Sequence, residues 1–132
     1  MIRVVGAIII YKEKLVGFKR AYSKDKTISK KYEFPGGKVK AHETDMKALQ
    51  RELKEELDID TVNLTKFFKT EYNYPNKRIM LNCYLCRLDK LNFKLNVHES
   101  YKLFSKNEVM NEKWLSADYI VLRQLVKRNI IK

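Results

Sequence analysis

Three glutamates, Glu52, Glu55 and Glu56, stand at positions i, i+3 and i+4, so on a helix their carboxylates share one face. Like charges at that spacing repel, and Arg51 and Lys54 relieve only part of the repulsion. A cluster of oxygen ligands on one rigid face suits Mg²⁺, a hard cation that takes carboxylates and waters and binds substrate phosphates at the same time. Such an ion would neutralise a polyphosphate and activate a water for attack at phosphorus. On spacing alone a second reading is the commoner one: a glutamate-rich helix whose Arg/Lys-laced face is merely solvated.

The elements that must hold these residues follow from periodicity. Met46, Leu49, Leu53 and Leu57 recur at three- and four-residue steps, which predicts a helix over Thr44 to Leu57 with Thr44 or the preceding turn as its cap and Asp45 near its positive end. Arg3 to Ile10 and Leu15 to Lys19 read as strands about a turn at Lys12 to Lys14. Ala21 to Lys31 is polar and charged and reads as a mobile loop. The segment Glu33-Phe34-Pro35-Gly36-Gly37 is short, extended and sharply broken. Val62 to Tyr74 and Ile79 to Leu88 form a long hairpin turning at Pro75-Asn76. Ser105 to Met110 matches a capping box and predicts a short helix. A last helix starts at Ser116 or Asp118, with Ile120, Val121, Leu125 and Val126 as its apolar stripe. Strands and helices interleave without a βαβ repeat, so the expected architecture is one domain over residues 1–132, with a mixed sheet covered by helices on both faces.

Composition sets the outer limits. The 132 residues are 45% hydrophobic and 33% charged, as in a globular protein with one core. No apolar run reaches the ~18 residues of a membrane span. The early apolar stretch Val4 to Tyr11 lacks a small-residue cleavage site and reads as a buried strand, which makes the cytoplasm the default location. The formal charge of +12 admits anionic partners, yet the lysines are scattered, which favours a solvated surface. Cys83 and Cys86 have CxxC spacing within a strand-like run. Positions three apart on a strand face opposite ways, so two reduced, separate cysteines are expected rather than a zinc or redox pair.

The sequence before the helix decides between the two readings of the glutamates. Gly37, five residues, Glu43, seven residues, then Arg51-Glu52-Leu53-Lys54-Glu55-Glu56-Leu57-Asp58-Ile59 resembles the Nudix box, Gly-x5-Glu-x7-Arg-Glu-(aliphatic)-x-Glu-Glu-x-Gly-(aliphatic). Eight of the nine defined positions match, and Asp58 replaces the ninth, a glycine. The preceding Tyr32-Glu33-Phe34-Pro35-Gly36-Gly37-Lys38 resembles the MutT-like branch of that family. The resemblance implies an α/β fold (α+β), an α/β/α sandwich in which the catalytic helix follows a Gly-Gly loop. It implies a Mg²⁺ cofactor, with Mn²⁺ as an alternative, and hydrolysis of a (d)NTP, oxidised or not, to a nucleoside monophosphate and pyrophosphate.

Roles follow residue by residue from the same resemblance. Glu52, Glu55 and Glu56 would bind metal with the Gly36 carbonyl, and Glu99, in the loop before a late strand, is a further candidate ligand. Glu52, or a downstream glutamate, would orient or deprotonate the attacking water. Arg51 and Glu43 would form a supporting ion pair. Arg20 and Lys38 would meet phosphate or nucleotide, Phe34 would stack on the base, and Asp118, in the Ala-Asp segment opening the last helix, would read the base edge or cap that helix. Tyr72 and Tyr74 are expected to pack rather than stack. His98 is expected at the surface or bonded to backbone. The partner is a small-molecule nucleotide, with nucleic acid admitted but not favoured, and the chain is a monomer or homodimer. Other polyphosphates (an RNA 5′ end, a dinucleoside polyphosphate, a nucleotide sugar) are the enzymatic alternative. A non-catalytic binding module ranks below both, because Glu43, Arg51, Glu52, Glu55 and Glu56 are all present.

Overall fold

In the computed structural model, which describes residues 1–60 and 63–132, the chain runs β1 (Ile2–Tyr11), β2 (Lys14–Lys19), β3 (Tyr32–Glu33), β4 (Gly36–Lys38), α1 (Asp45–Leu57), β5 (Thr65–Tyr74), β6 (Lys77–Arg87), β7 (Ser100–Phe104) and α2 (Ser116–Lys127). The strands form one sheet in the order β3-β2-β1-β6-β5, with β4 on β1 and β7 on β2. β1 and β6 are parallel and the other pairs antiparallel, so the sheet is mixed. The expected hairpin of β5 and β6 turns at Pro75-Asn76. Val62, expected to open its first strand, lies outside the described residues.

Alternation along β1 divides the core. Val5, Ala7 and Ile9 enter one apolar layer, and Ile8 and Ile10 the other, because successive strand side chains leave on opposite faces. α1 covers the first layer with Ala48, Leu49, Leu53 and Leu57. α2 covers the second with Ala117, Val121, Leu122 and Leu125. This is the α/β/α sandwich. Burying each of Leu49, Leu53 and Leu57 contributes roughly 2 kcal/mol, whereas a like-charged pair on a helix costs only about 0.2–0.5 kcal/mol. The buried leucines therefore outweigh the repulsion of the glutamates that share α1.

Both ends of α1 are closed by side-chain or special backbone geometry. Thr44 is its N-cap, the hydroxyl accepting from the Lys47 amide at 3.1 Å. Asp45, in the first turn, pairs with Arg3 and accepts from Asn82 Nδ2 at 2.8 Å. At the other end Asp58 adopts φ 57° and ψ 37°; its amide donates to the Lys54 carbonyl at 3.1 Å, and the Ile59 amide to the Leu53 carbonyl at 3.3 Å. This is the left-handed conformation the family's glycine would take. Asp58 also pairs with Lys54 at 2.8 Å and Lys94 at 3.6 Å.

One expectation of the fold changes. Residues 105–110 do not form a helix. Glu108 Oε1 accepts from the Ser105 amide at 2.9 Å, but only a 3-10 turn, Val109–Asn111, follows, since Trp114 Nε1 donates to the Val109 carbonyl and holds the segment as a tight turn. Residues 21–31 form a loop, as expected, with turns over 26–30: Asp25 Oδ1 accepts from the Thr27 amide at 2.9 Å and the Thr27 hydroxyl at 2.6 Å, while the Arg20 amide donates to the Lys31 carbonyl at 2.9 Å and closes the neck. Cys83 and Cys86 are free and buried in opposite layers, as their spacing requires.

Candidate active site

The break before α1 is set by two glycines. Gly36 has φ 153°, and a Cβ there would lie 1.9 Å from the Val5 carbonyl oxygen, so no other residue fits. A Cβ on Gly37 would lie 2.6 Å from Glu52 Oε1. The missing side chains let α1 press its carboxylates onto the turn. Glu52 lies against Gly37, and Glu56 Oε1 accepts from the Gly36 amide at 3.3 Å. Glu56 is buried, and burial, reinforced by the charges of Glu33 and Glu52, pushes its carboxyl up to about 9.

Arg51 organises the outer side of this cluster. It donates to Glu43 from Nε at 2.6 Å and Nη2 at 2.9 Å, to Glu52 Oε1 from Nη1 at 2.9 Å, and to the Lys38 carbonyl at 3.1 Å. Glu55, more exposed, approaches the same Nη1 at 3.4 Å. Hydrogen bonds from Arg51 and from the Lys40 amide lower the Glu43 carboxyl to about 2. One guanidinium thus ties the Glu43 turn, the strand end at Lys38 and two glutamates of α1 together.

Beside the turn opens a cavity of about 340 Å³. One wall follows from sheet register: Ile2 and Val4 of β1 lie opposite Ile79 and Leu81 of β6, and all four line the cavity. These are alternate positions on the face that farther along packs against α2, so the cavity continues that apolar layer. Phe34, Tyr74, Leu115 and Asp118 line it too, together with Arg20, Glu33, Lys38 and Glu56. The Asp118 side chain accepts from the Phe34 amide at 3.0 Å, and its burial holds the carboxyl well above the usual carboxylate range. Tyr74 offers its hydroxyl oxygen to the Ala117 amide at 3.1 Å, and burial raises that hydroxyl to about 12. Polar groups near the glutamates and apolar walls beyond them suit a ligand with an anionic end and a flat, partly apolar end.

Of the residues singled out from sequence, Gly36, Lys38, Arg20, Phe34, Glu56 and Asp118 meet at the cavity; Glu52, Glu55, Arg51 and Glu43 do not line it and are linked to it through Gly37 and the Lys38 carbonyl. Gly36 meets Glu56 by its amide. Glu99 is not among the lining residues and pairs instead with Lys30 at 2.6 Å. Asp118 is not the cap of α2; Leu115 stands at that position, and Asp118 sits in the first turn. The expectation for His98 is corrected. Its side chain is fully buried and its Nε2 lies 2.7 Å from Glu33 Oε2, because the exposed Val97 and the backbone-anchored Glu99 turn it inward behind Phe18. Sequence reasoning missed Glu33 and the aliphatic wall. The period-2 pattern of β1 and β6 signalled that wall, but not that it was left uncovered.

The donor set can be tested against a divalent cation. Among the described residues no three acidic, histidine or cysteine side chains already form a tight metal-binding group. The local chemistry nonetheless fits one: Glu52 and Glu56 converge on the Gly36-Gly37 turn beside Glu33, and burial together with the charges of Glu33 and Glu52 raises the Glu56 carboxyl, a crowding of negative charge that a cation would relieve. A cation there would meet oxygen donors only, the preference of Mg²⁺ and similar ions.

The family model for the NUDIX domain matches residues 1–125. The chain belongs to the NUDIX family and is a Nudix hydrolase. It is 35% identical over 100 residues to the 8-oxo-dGTP diphosphatase of Buchnera aphidicola, covering 60% of this chain and 81% of that protein. The Escherichia coli 8-oxo-dGTP diphosphatase is 42% identical over 57 residues, 43% of this chain and 44% of that protein. Among solved structures, the MutT Nudix hydrolase of Burkholderia pseudomallei superposes with a TM-score of 0.81 at 22% identity over 94% of this chain and 97% of that one, and the fold is therefore that of MutT. No helix among the described residues is long and apolar enough to cross a membrane.

Proposed function

We propose that the chain is a MutT-like, Mg²⁺-dependent hydrolase that cleaves a nucleoside triphosphate to a nucleoside monophosphate and pyrophosphate, with an oxidised purine (d)NTP as the first candidate substrate. The observation that carries this reading is the seating of Glu52 and Glu56 on the Gly36-Gly37 turn at the polar end of the cavity. The names of the Buchnera aphidicola and Escherichia coli relatives point to 8-oxo-dGTP.

In this proposal Glu52, Glu55 and Glu56 would hold the cation, which when bound supplies charge neutralisation at the phosphates and a more acidic water. The chain's own residues do the positioning. Arg20 and Lys38 bind the phosphates, and Arg51 fixes Glu52 at the angle needed to accept a proton from water. The base enters between Phe34 and the aliphatic wall of Ile2, Val4, Ile79 and Leu81, where water is excluded. Asp118, whose burial favours the protonated carboxyl, donates to a base acceptor while its other oxygen keeps the Phe34 amide satisfied. Catalysis of this kind is mainly orientation and electrostatic preorganisation.

The test is a hydrolysis panel of normal (d)NTPs, 8-oxo-dGTP, dinucleoside polyphosphates, nucleotide sugars and 5′-triphosphate RNA with Mg²⁺ or Mn²⁺, using wild type and Glu56→Gln. The expected result is release of pyrophosphate from 8-oxo-dGTP, with turnover by Glu56→Gln lower by at least about 100-fold. Preference for another polyphosphate would move the substrate assignment. Hydrolysis untouched by Glu56→Gln would remove the site assignment, and no hydrolysis at all would leave a binding module.

A further inference from the structure

The segment leading into β7 is fastened to three parts of the site within four residues. Asn96 donates its amide to the Glu56 carbonyl and its Nδ2 to the Glu55 carbonyl, both at 3.0 Å, at the end of α1. Glu99 donates its amide to the Lys19 carbonyl of β2 at 3.0 Å, and its carboxylate pairs with Lys30 in the turn-rich loop. Between them the His98 ring is buried, 5.4 Å from the Phe18 ring, with Nε2 2.7 Å from Glu33 Oε2. The Glu33 carboxylate also takes Arg20 Nη1, at 3.1 and 3.3 Å. Arg20 and Glu33 line the cavity; His98 does not.

The protonation pattern is fixed by what each atom can do. A carboxylate only accepts, so Nε2 carries the hydrogen. Nδ1 is the buried side-chain nitrogen left without a partner among the described residues. An unpaired buried nitrogen costs stability, and a phenylalanine would pack against Phe18 without that cost. Packing therefore does not explain a histidine here. Among the described residues the Nε2–H bond to Glu33 is the one directional contact the imidazole makes, and it acts on an oxygen of the carboxylate that holds Arg20.

We propose that His98 is a positioning residue for substrate: its Nε2–H fixes the Glu33 carboxylate, and Glu33 in turn aims the Arg20 guanidinium into the cavity at the phosphates of a bound nucleotide. This rests on the reading of the cavity as a nucleoside polyphosphate site. Without the His98 bond, Glu33 is free to rotate about its terminal torsions and Arg20 loses a fixed anchor. Arg20 then pays part of its ordering on binding. The segment from Asn96 to Glu99 thereby couples the end of the glutamate helix to the phosphate-facing arginine.

The experiment is a double-mutant cycle read by calorimetric binding of a non-hydrolysable α,β-methylene nucleoside triphosphate, alongside KM and kcat for a hydrolysed one. His98→Phe, which keeps the ring against Phe18, is expected to raise Kd and KM roughly tenfold, the loss of one charge-assisted hydrogen bond's effect, with kcat changed less than about threefold. His98→Gln, which returns an N–H donor, should recover most of that affinity. In an Arg20→Ala background, His98→Phe should change Kd by less than about twofold. An unchanged Kd in His98→Phe, the full tenfold loss persisting without Arg20, or a folded His98→Gln as weak as His98→Phe would each overturn the proposal. If His98→Phe does not fold, Glu33→Gln takes its place in the cycle with the same expectations. A wild type that binds the analogue but hydrolyses nothing defeats the hydrolase reading while the binding cycle still decides the role of His98; one that binds no nucleotide overturns the role as well.

Discussion

Arg51 grips Glu43 through two nitrogens, Nε at 2.6 Å and Nη2 at 2.9 Å, while its third nitrogen reaches Glu52 at 2.9 Å. A planar fork can do this and an ammonium cannot. Arg51→Lys is therefore expected to keep the charge yet lose turnover by roughly 10- to 100-fold, because Glu52 loses its fixed angle. The Glu43 carboxyl, lowered to about 2 by these bonds, adds stability that is present above its ordinary value near 4.5 and lost as pH falls through about 2. Glu43→Gln should flatten the acid limb of the stability curve between those values. Equal acid limbs for wild type and Glu43→Gln, followed by circular dichroism, would show that the pair does not contribute.

Glu56 shifts the other way, and the sign reverses with it. Its carboxyl, raised to about 9 by burial and by the charges of Glu33 and Glu52, binds a proton in the folded chain where the unfolded chain has already lost it. The stability this confers is complete below about 4.5 and is lost as pH rises towards 9. The metal-free protein should melt at progressively lower temperature from pH 5 to pH 9. Adding Mg²⁺ should reverse the trend, since the cation favours the carboxylate and displaces the proton. Glu56→Gln, a mimic of the neutral form, should remove both the slope and the response to Mg²⁺. A melting temperature that is level with pH in the metal-free wild type would contradict this account.

Much of this was legible in the sequence, for reasons that particular residues make plain. Long periodic stretches report their structure because burial sets their pattern, as in β1, α1 and β6. The box from Gly37 to Ile59 gave the glutamate face its meaning through Gly37 and Arg51, which spacing among the glutamates alone did not supply. What was illegible depended on distant contacts. His98 enters the interior because residues 96 and 99 are held by α1 and β2. The 105–110 segment satisfies a capping box locally, and the Trp114 side chain bonded to Val109 selects a tighter turn. The aliphatic wall of the cavity depends on Ile79 and Leu81, buried in the core yet lining the cavity, and only their tertiary setting shows that.

Asp118 separates a structural from a recognition role by substitution. Its carboxyl is buried, pushed above the usual carboxylate range by that burial, and bonded to the Phe34 amide. Asp118→Asn keeps an acceptor for that amide and a donor for the base, so it should retain KM within about fivefold for the preferred nucleotide. Asp118→Ala leaves the Phe34 amide unpaired, at a cost of about 1–3 kcal/mol, and should raise KM by roughly 10- to 100-fold. If both variants discriminate among bases as wild type does, Asp118 serves the fold alone.

Asp58 stands where the family's box has glycine and takes the left-handed conformation at φ 57°. An aspartate there carries a steric cost that glycine avoids, and its pairs with Lys54 and Lys94 are solvent-exposed and weak. Asp58→Gly is therefore expected to raise the melting temperature by roughly 1–4 °C and leave turnover within about twofold, since no carboxylate of the site is removed. Tenfold faster turnover with an unchanged melting temperature would show instead that Asp58 acts on the chemistry.

The two glycines of the turn should respond differently to alanine. At Gly36 the new Cβ would collide with backbone, 1.9 Å from the Val5 carbonyl oxygen, at a φ of 153°; neither atom can yield, so Gly36→Ala should fail to fold or melt far below wild type. At Gly37 the obstacle is a side chain, with Glu52 Oε1 and Cδ at 2.6 and 2.7 Å. Glu52 can swing aside, which preserves the fold and displaces the carboxylate proposed to take the proton from water. Gly37→Ala should thus keep a melting temperature within a few degrees of wild type and lose kcat by roughly 100-fold or more. Glu52→Ala in the Gly37→Ala background should then cost little further activity, because the same group has already been removed from its position. A full additional loss would mean that Glu52 still reaches its place past the methyl group, and that the close approach of Gly37 serves the backbone rather than the carboxylate.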